Sequence, residues 1–193
     1  MKKFKLTSEF IVDISGVKLF RIKALIEFGN VKAGDLGGYI EKEENLSHMG
    51  NAWVSGNAQV SGDARVSGNA RVSGDAQVFG DARVSGNAQV SGNAQVSGDA
   101  RVSGNAQVFG DARVSGDARV SGDKDYAYAH GFGSCNRTTT FFRLKDGDVG
   151  VRCGCFYGTL AQFRDKVCET HGETKKAQEY LMLADLMEIR FKN

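Results

Sequence analysis

Four arginines that recur in every third hexapeptide of a repeat are the first feature of the chain that could bind a ligand. Each lies in a copy of the sequence Gly-Asp-Ala-Arg-Val-Ser, and the four are Arg65, Arg83, Arg101 and Arg119. If these equivalent positions stack on one another, the guanidinium groups form a ladder with a spacing of about 4.8 Å. Such a ladder could bind phosphates or carboxylates, or it could face acidic groups of another subunit. An aspartate precedes each arginine by two positions, and neutralisation by these aspartates after simple duplication of the repeat is the plainer alternative.

The spacing of the arginine ladder favours the interpretation that its surface was kept by selection and did not arise only by duplication of the repeat. A second near-repeat aligns residues 76–86 with residues 106–116, and it would carry Asn-Ala-Gln into positions 117–119. Asp-Ala-Arg stands there instead, which keeps the register of every third hexapeptide. Ligand binding and lateral packing both remain open as uses of this surface.

A second candidate site is the polar stretch His-Gly-Phe-Gly-Ser-Cys-Asn-Arg-Thr-Thr-Thr at residues 130–140. Its backbone N–H groups, hydroxyls and guanidinium could bind an anionic or nucleotide-like ligand, and its aromatic ring could stack on a base. The candidate ligand-binding residues are Phe132, Ser134, Asn136, Arg137, Thr138 and Thr139. The stretch matches no P-loop or Rossmann fingerprint. An ordinary connection whose threonines begin a strand is the plainer alternative.

The placement of histidine and cysteine argues against catalysis and against a metal site. The histidines, His48, His130 and His171, are far apart in sequence, and none lies within the repeated hexapeptides. Because a general base must reach the proton that it removes, we expect no enzymatic activity; His130 would be the candidate base if there were any. Cys153 and Cys155 could share a strand face in a zinc site, but structural sites more often use pairs separated by two to four residues. We therefore expect buried free thiols, no metal and no cofactor.

A repeat with a period of six positions the arginine ladder. Residues 50–121 are twelve hexapeptides of the form Gly-[Asn/Asp]-Ala-x-Val-[Ser/Phe]. On a strand, the Ala and the Val point to one side and the residue between them points to the other. The Gly-Asn or Gly-Asp pair then supplies a turn. Three such strands and three corners close one coil, so the repeat predicts a triangular parallel β-helix of four coils, each three hexapeptides long.

This repeat resembles the hexapeptide-repeat family of left-handed parallel β-helices. The resemblance implies a mainly β fold, the left-handed sense of the coils and, most simply, a homotrimer. The family's acyltransferases use histidines that project from the coils or their loops, and this chain has none within its coils. An acyltransferase is therefore the least favoured of the functions that the resemblance suggests.

The segments on either side of the repeats are also similar to known proteins. Residues 34–53 and 151–172 resemble parts of small hexapeptide-repeat proteins from bacteria, phages and prophages. The resemblance suggests an accessory protein of a mobile element. One hypothesis that follows is a phage-encoded protein that sequesters a nucleotide signal of the bacterial host.

The segments that flank the repeats predict three domains. Residues 1–33 alternate apolar and polar side chains around a Ser-Gly turn and predict an N-terminal β-hairpin cap. Residues 34–122 are predicted to form the β-helix, which begins with one imperfect coil. Residues 123–193 predict a small α+β domain with a hairpin and two helices. The cap is needed because an open solenoid end exposes strand edges.

Specific residues mark the elements of the C-terminal domain. The hairpin is predicted to turn at Asp146-Gly147. The first helix has a capping box of Thr159 and Gln162, and Gly172 is its expected stop. The second helix is predicted to bury one stripe of apolar residues, which consists of Tyr180, Leu183, Leu186 and Met187.

Composition restricts the class of protein. The net charge of +2 is too small to suggest binding of duplex nucleic acid. The sequence has neither an apolar run long enough to span a bilayer nor a signal-peptide pattern, so we expect a soluble protein of the bacterial cytoplasm with no membrane partner. Because the Ala/Val core of the repeats is thin, we also expect a homo-oligomer. Phe79 and Phe109, which replace the serine of the other hexapeptides, are the expected subunit contacts.

Three functions follow from these features and remain open. The first is a non-enzymatic, oligomeric protein that binds and sequesters a small anionic, nucleotide-like ligand. The second is a structural β-helix whose faces or ends assemble with one another. The third is an acyltransferase of the hexapeptide type.

Overall fold

Three parallel sheets form the sides of a β-solenoid in the computed structural model, which describes residues 1–134 and 137–192. Face one consists of β4 (Trp53–Val54), β7 (Arg71–Val72), β10 (Gln89–Val90) and β13 (Gln107–Val108). Face two contains β5 (Gln59–Val60), β8 (Gln77–Val78), β11 (Gln95–Val96) and β14 (Arg113–Val114). Face three contains β6 (Arg65–Val66), β9 (Arg83–Val84), β12 (Arg101–Val102) and β15 (Arg119–Val120).

Strands from every third hexapeptide pair in register on each face. Val66 lies opposite Val84, which lies opposite Val102, and the Arg65 N–H donates to the carbonyl of Ala82 at 2.9 Å. Every Ala and Val of the hexapeptides is buried in one continuous core. The prediction of a parallel β-helix with 18 residues per coil is confirmed, whereas the left-handed sense stays a prediction.

The corners need glycine because adjacent coils approach each other closely there. Gly86 has φ +67°, and a Cβ atom on it would lie 2.9 Å from the backbone nitrogen of Gly104 in the next coil. A side chain at this position would therefore meet both an unfavourable backbone conformation and a backbone contact.

The N-terminal segment extends face two into a larger sheet. β1 (Phe4–Val12) and β2 (Lys18–Ala24) form the predicted hairpin, and β3 (Leu36–Ile40) pairs with β2 antiparallel and with β5 parallel. Ile40 lies opposite Val60, and Leu46 forms an isolated bridge with Val66. The predicted imperfect coil is confirmed, so the solenoid has about five turns.

Two buried polar side chains cover the strand edges at the N-terminal end of the solenoid. The Lys3 Nζ donates to the carbonyls of Gly50, at 3.3 Å, and Ala52, at 2.8 Å. The Asn45 Nδ2 donates to the carbonyls of Gly62, at 3.0 Å, and Ala64, at 2.9 Å. These donors replace backbone N–H groups of a further coil, so the edge does not stay unpaired.

The C-terminal end of the solenoid is covered by a four-stranded antiparallel sheet and two helices. The strands are β16 (Tyr126–Phe132), β17 (Arg137–Arg143), β18 (Val149–Cys153) and β19 (Phe156–Thr159). The helices are α1 (Leu160–His171) and α2 (Lys175–Phe191). Phe142 of β17 belongs to the solenoid core, while its neighbour Phe141 belongs to the core that the helices form against the sheet.

The predicted turn, capping box and helix stop of this region are confirmed. The loop at Asp146-Gly147 joins β17 to β18. The Thr159 hydroxyl accepts from the Gln162 N–H, and α1 ends at His171 with Gly172, which has φ +56°, as its C-cap. The division of the chain into three domains at residues 33 and 122 stays a prediction.

Three sequence-based expectations about side chains were wrong, in whole or in part. Leu186 is 54% exposed, because α2 buries a narrower stripe; the buried residues are Ala177, Tyr180, Ala184, Met187 and Phe191. Cys153 ends β18, whereas Cys155 lies in the following turn, so the two thiols do not share a strand face. Cys155 and Cys168 are exposed, so the expectation of buried thiols was wrong for these two, whereas Cys153 is half-buried and packs against the core that the helices form with the sheet.

Candidate functional site

Basic side chains from the solenoid and from the C-terminal sheet converge on one cavity of about 620 Å³. We call it the junction site, and its basic and hydroxyl residues are Arg113, His130, Arg137, Thr138 and Arg152. Asp111, Gly154 and Cys155 complete its lining.

The last coil of the solenoid and the C-terminal sheet bring these residues together. The Arg113 N–H donates to the Thr140 hydroxyl at 3.0 Å, which fixes β14 against β17. Arg152 on β18 lies opposite the same Thr140 in the antiparallel register. His130 on β16 and Thr138 on β17 are also in contact, since the His130 Nδ1 lies 2.9 Å from the Thr138 hydroxyl.

The junction site carries an excess of positive charge. Within residues 1–134 and 137–192, the guanidinium groups of Arg113, Arg137 and Arg152 form no ion pair. Asp111 supplies the one carboxylate in the described lining, and its Oδ1 accepts from the Asn93 amide at 2.9 Å. Three guanidinium groups against one carboxylate favour an anion with several acceptor oxygens.

Gly154 leaves room for the Arg137 guanidinium at the edge of the site. It has φ +58°, and a Cβ atom on it would lie 2.9 Å from the Arg137 Nη1. A larger residue would therefore displace this guanidinium as well as strain the turn between β18 and β19.

A smaller and more apolar cavity of about 250 Å³ adjoins the junction site. The two share Arg137, Gly154 and Cys155. The aromatic and aliphatic lining residues of the smaller cavity are Phe156, Phe163, Val167 and Tyr180. Burial raises the pKa of the Tyr180 hydroxyl, whose oxygen accepts from the Ser134 N–H at 3.2 Å.

The ligand-binding residues predicted from the polar stretch do not all line the same cavity. Arg137 and Thr138 line the junction site, and Ser134 lines the apolar cavity. Thr139 is buried and its hydroxyl donates to the Cys153 Sγ at 3.2 Å, so its prediction as a ligand contact was wrong. Phe132 is exposed at the end of β16 and lines neither cavity. Asn136 lies outside the described residues.

Sequence reasoning missed Arg113 and Arg152. The sequence pattern could have pointed to Arg113, because the preceding coils of face two carry glutamine at the equivalent position, at residues 59, 77 and 95. No such pattern pointed to Arg152, since it reaches the site through the pairing of strands that the polar stretch does not reveal.

The arginine ladder forms as the spacing of the repeat predicts. Arg65, Arg83, Arg101 and Arg119 lie opposite one another in consecutive coils of face three. The first three line an open groove of about 870 Å³, which we call the ladder groove. The Arg119 Nη1 instead donates to the carbonyls of Asp99, at 2.9 Å, and Ala118, at 2.8 Å.

The aspartates of face three do not pair with its arginines. In the described part of the chain, no ion pair joins an aspartate of a hexapeptide to an arginine of a hexapeptide. Asp63 pairs instead with Lys42, at 2.7 Å. The ladder is therefore not held in a closed network of internal salt bridges.

The described residues contain neither a cluster of metal-ligating side chains nor a helix that could span a membrane. Outside residues 135, 136 and 193, no three side chains of His, Cys, Asp or Glu lie close enough together to hold a metal ion. Within the same ranges, no helix is both long and apolar enough to cross a bilayer.

Comparison with known proteins supports the repeat fold. A family model described as the YdcK beta solenoid repeat matches residues 58–74, 64–78, 76–92, 94–110 and 106–122. All five matches lie in the repeats and their immediate end. No curated protein matches the chain. A phage origin stays a prediction.

Proposed function

We propose that this chain, a β-solenoid repeat protein, binds a small phosphate-bearing ligand at the junction site. The observation that carries the proposal is the convergence of Arg113, Arg137 and Arg152 from three different strands on one cavity. Guanidinium groups bind phosphate oxygens in pairs of parallel hydrogen bonds, and none of these three is occupied by an ion pair of the described chain.

The adjoining apolar cavity supports a nucleotide-like ligand. A ligand whose phosphate binds at the junction site can extend past Arg137 into the smaller cavity. There, Phe156 and Phe163 offer aromatic surface to a base. The Asp111 carboxylate is an acceptor for a sugar hydroxyl or a base N–H. A ligand of this kind combines an anionic end, polar hydroxyls and a flat apolar part.

We propose binding without chemical turnover. His130 lines the junction site, and its Nδ1 is occupied by the contact with the Thr138 hydroxyl, 2.9 Å away. In this arrangement the His130 imidazole is suited to donate a hydrogen bond to an anion. Sequestration of a nucleotide signal is the biological use that such binding suggests, and an acyltransferase that uses His130 as its base is the alternative.

Calorimetric titration with a panel of ligands tests the proposal. The panel contains a nucleoside monophosphate, cyclic dinucleotides, pyrophosphate and acetyl-coenzyme A. We expect a saturable signal with a phosphate-bearing nucleotide, weakened about tenfold by Arg137→Gln, because one charge-assisted contact is lost. Arg71→Gln on face one is the matched control and should not change the affinity.

Two outcomes contradict the proposal. Absence of any heat signal with every member of the panel, together with concentration-dependent filaments, indicates the structural alternative. Turnover of acetyl-coenzyme A that His130→Ala abolishes indicates the acyltransferase.

A further inference from the structure

We propose that the ladder groove is a second anion site, separate from the junction site, and that it takes a linear oligophosphate. Its walls are built from equivalent residues of successive coils: the arginines Arg65, Arg83 and Arg101, and the serines Ser67, Ser85 and Ser103. The groove therefore repeats the same pair of donors along its length, with one guanidinium and one hydroxyl in each coil.

The arginines form a column of like charges at a short spacing. Arg65 lies opposite Arg83, and Arg83 lies opposite Arg101, so adjacent members are one coil apart, about 4.8 Å. All three side chains are exposed, and no hydrogen bond or ion pair of the described chain occupies their guanidinium groups. An anion between neighbouring guanidinium groups relieves their mutual repulsion and accepts from two of them.

The serines add hydroxyl donors on one side of this column. The backbone N–H of Ser67 donates to the Val84 carbonyl at 3.0 Å, and that of Ser85 donates to the Val102 carbonyl at 2.9 Å. The backbone N–H groups are thus occupied by the inter-coil pairing, and the three serines line the groove. A hydroxyl in each coil can donate to the same anion that the arginine of that coil binds.

Carboxylates are confined to one end of the groove. Glu43 and Glu44 lie there, and Glu43 is paired with the Lys2 ammonium at 2.9 Å. The aspartates of face three do not line the groove. An anionic chain can therefore follow the arginines away from this end without meeting an unpaired carboxylate of the lining.

The lining favours a chain of phosphates over a nucleic acid or an acidic peptide. Among the described residues, the lining contains no Phe, Tyr or Trp ring on which a base could stack, and the imidazole of His48 already stacks on Phe4 at 4.3 Å. On an extended peptide, carboxylates of one face recur about every 6.8 Å, which differs from the coil spacing. A phosphate chain carries acceptor oxygens along its whole length, so it can bind donors at a spacing of about 4.8 Å.

Glutamine variants of the arginines test this inference. Glutamine occupies the equivalent position in other hexapeptides, for example Gln77 and Gln95, so the replacements leave the repeat pattern intact. We expect tripolyphosphate and longer inorganic polyphosphate to bind the wild-type protein. Arg83→Gln should weaken binding about tenfold, and replacement of all three groove arginines should reduce it at least about a hundredfold.

Matched variants separate this site from the junction site. Arg71→Gln and Arg119→Gln, which change arginines outside the groove lining, should leave polyphosphate affinity within about twofold. Arg113→Gln should weaken nucleotide binding at the junction site and spare polyphosphate. Binding of polyphosphate should also depend less steeply on salt once the three groove arginines are replaced.

Several results would overturn the inference. One is equal polyphosphate affinity of the wild type and the triple variant, and another is an equal loss in the Arg71→Gln control. Tighter binding of single-stranded oligonucleotide or polyglutamate than of polyphosphate would assign the groove to another ligand. A wild-type dimer that the triple variant converts to monomer would assign face three to self-association.

Discussion

At the scale of single residues, two polar side chains supply the hydrogen-bond donors that a further coil would provide. Lys3 and Asn45 are both fully buried, and each donates to two backbone carbonyls at the edge of the first repeats. A buried carbonyl without a donor costs about 1–3 kcal/mol, so these contacts explain why polar groups are retained there. The sequence did not predict this role, because neither residue belongs to the repeat pattern.

Lys3 gives the stability of the protein a distinctive dependence on pH. Burial lowers the pKa of its ammonium from 10.5 to about 8. Between these two values the unfolded chain binds more protons than the folded chain, so the contribution of Lys3 to the free energy of unfolding increases as the pH rises.

The matched variant for this prediction is Lys3→Met, which removes the titrating group and keeps much of its volume. We expect the difference in the free energy of unfolding, wild type minus variant, to increase from about pH 8 towards pH 10.5. Urea titrations at several pH values measure it. A difference that stays constant or falls over this range would contradict a lowered pKa.

At the scale of elements, the hexapeptide shows how much a local pattern can predict. The side-chain alternation and the Gly-Asn or Gly-Asp corner both lie within a single hexapeptide, so the strands, the buried Ala and Val positions and the coil length could all be predicted. The junction site could be predicted only in part. Arg137 and Thr138 lie in a recognisable polar stretch, but Arg113 joins them through the contact between β14 and β17.

The corners provide a prediction that separates backbone strain from crowding. Gly16 and Gly86 both have positive φ, at +83° and +67°. Within residues 1–134 and 137–192, a Cβ atom on Gly16 would meet no atom within 4 Å, whereas one on Gly86 would lie 2.9 Å from the Gly104 nitrogen. We expect Gly16→Ala to lower the free energy of unfolding by about 1–2 kcal/mol, from conformation alone.

We expect Gly86→Ala to lower the free energy of unfolding by at least about 1 kcal/mol more than Gly16→Ala does, because the adjacent coils must also move apart. Chemical denaturation of both variants measures the difference. Equal losses in the two variants would show that the coils do not approach as closely as described.

At the scale of the whole molecule, the solenoid is a thin rod whose ends are covered by different structures. One continuous core of Ala and Val runs through the repeats, and Phe142 and Tyr126 of the C-terminal region also belong to it. Phe79 and Phe109 are 38% and 45% exposed, and Phe109 packs edge-on against Tyr128, 5.7 Å away. Part of the predicted subunit contact is therefore occupied within the chain.

A homo-oligomer, most simply a trimer, stays the prediction for the protein in solution. Light scattering after size exclusion should give a mass close to three times 20.8 kDa. Phe79→Ser, which restores the residue of the other hexapeptides, should lower this mass if Phe79 contacts a second subunit. A monomeric mass at micromolar concentration would overturn the prediction.

Calorimetric titration of the wild-type protein and of the Arg113→Gln, Arg152→Gln double variant with a nucleoside monophosphate tests the junction site most directly. These two arginines come from the solenoid and from the C-terminal sheet, so only a shared site makes both of them contribute to one affinity. We predict saturable binding to the wild type and a loss of about a hundredfold in the double variant. Binding of equal affinity in the two proteins would contradict the junction site.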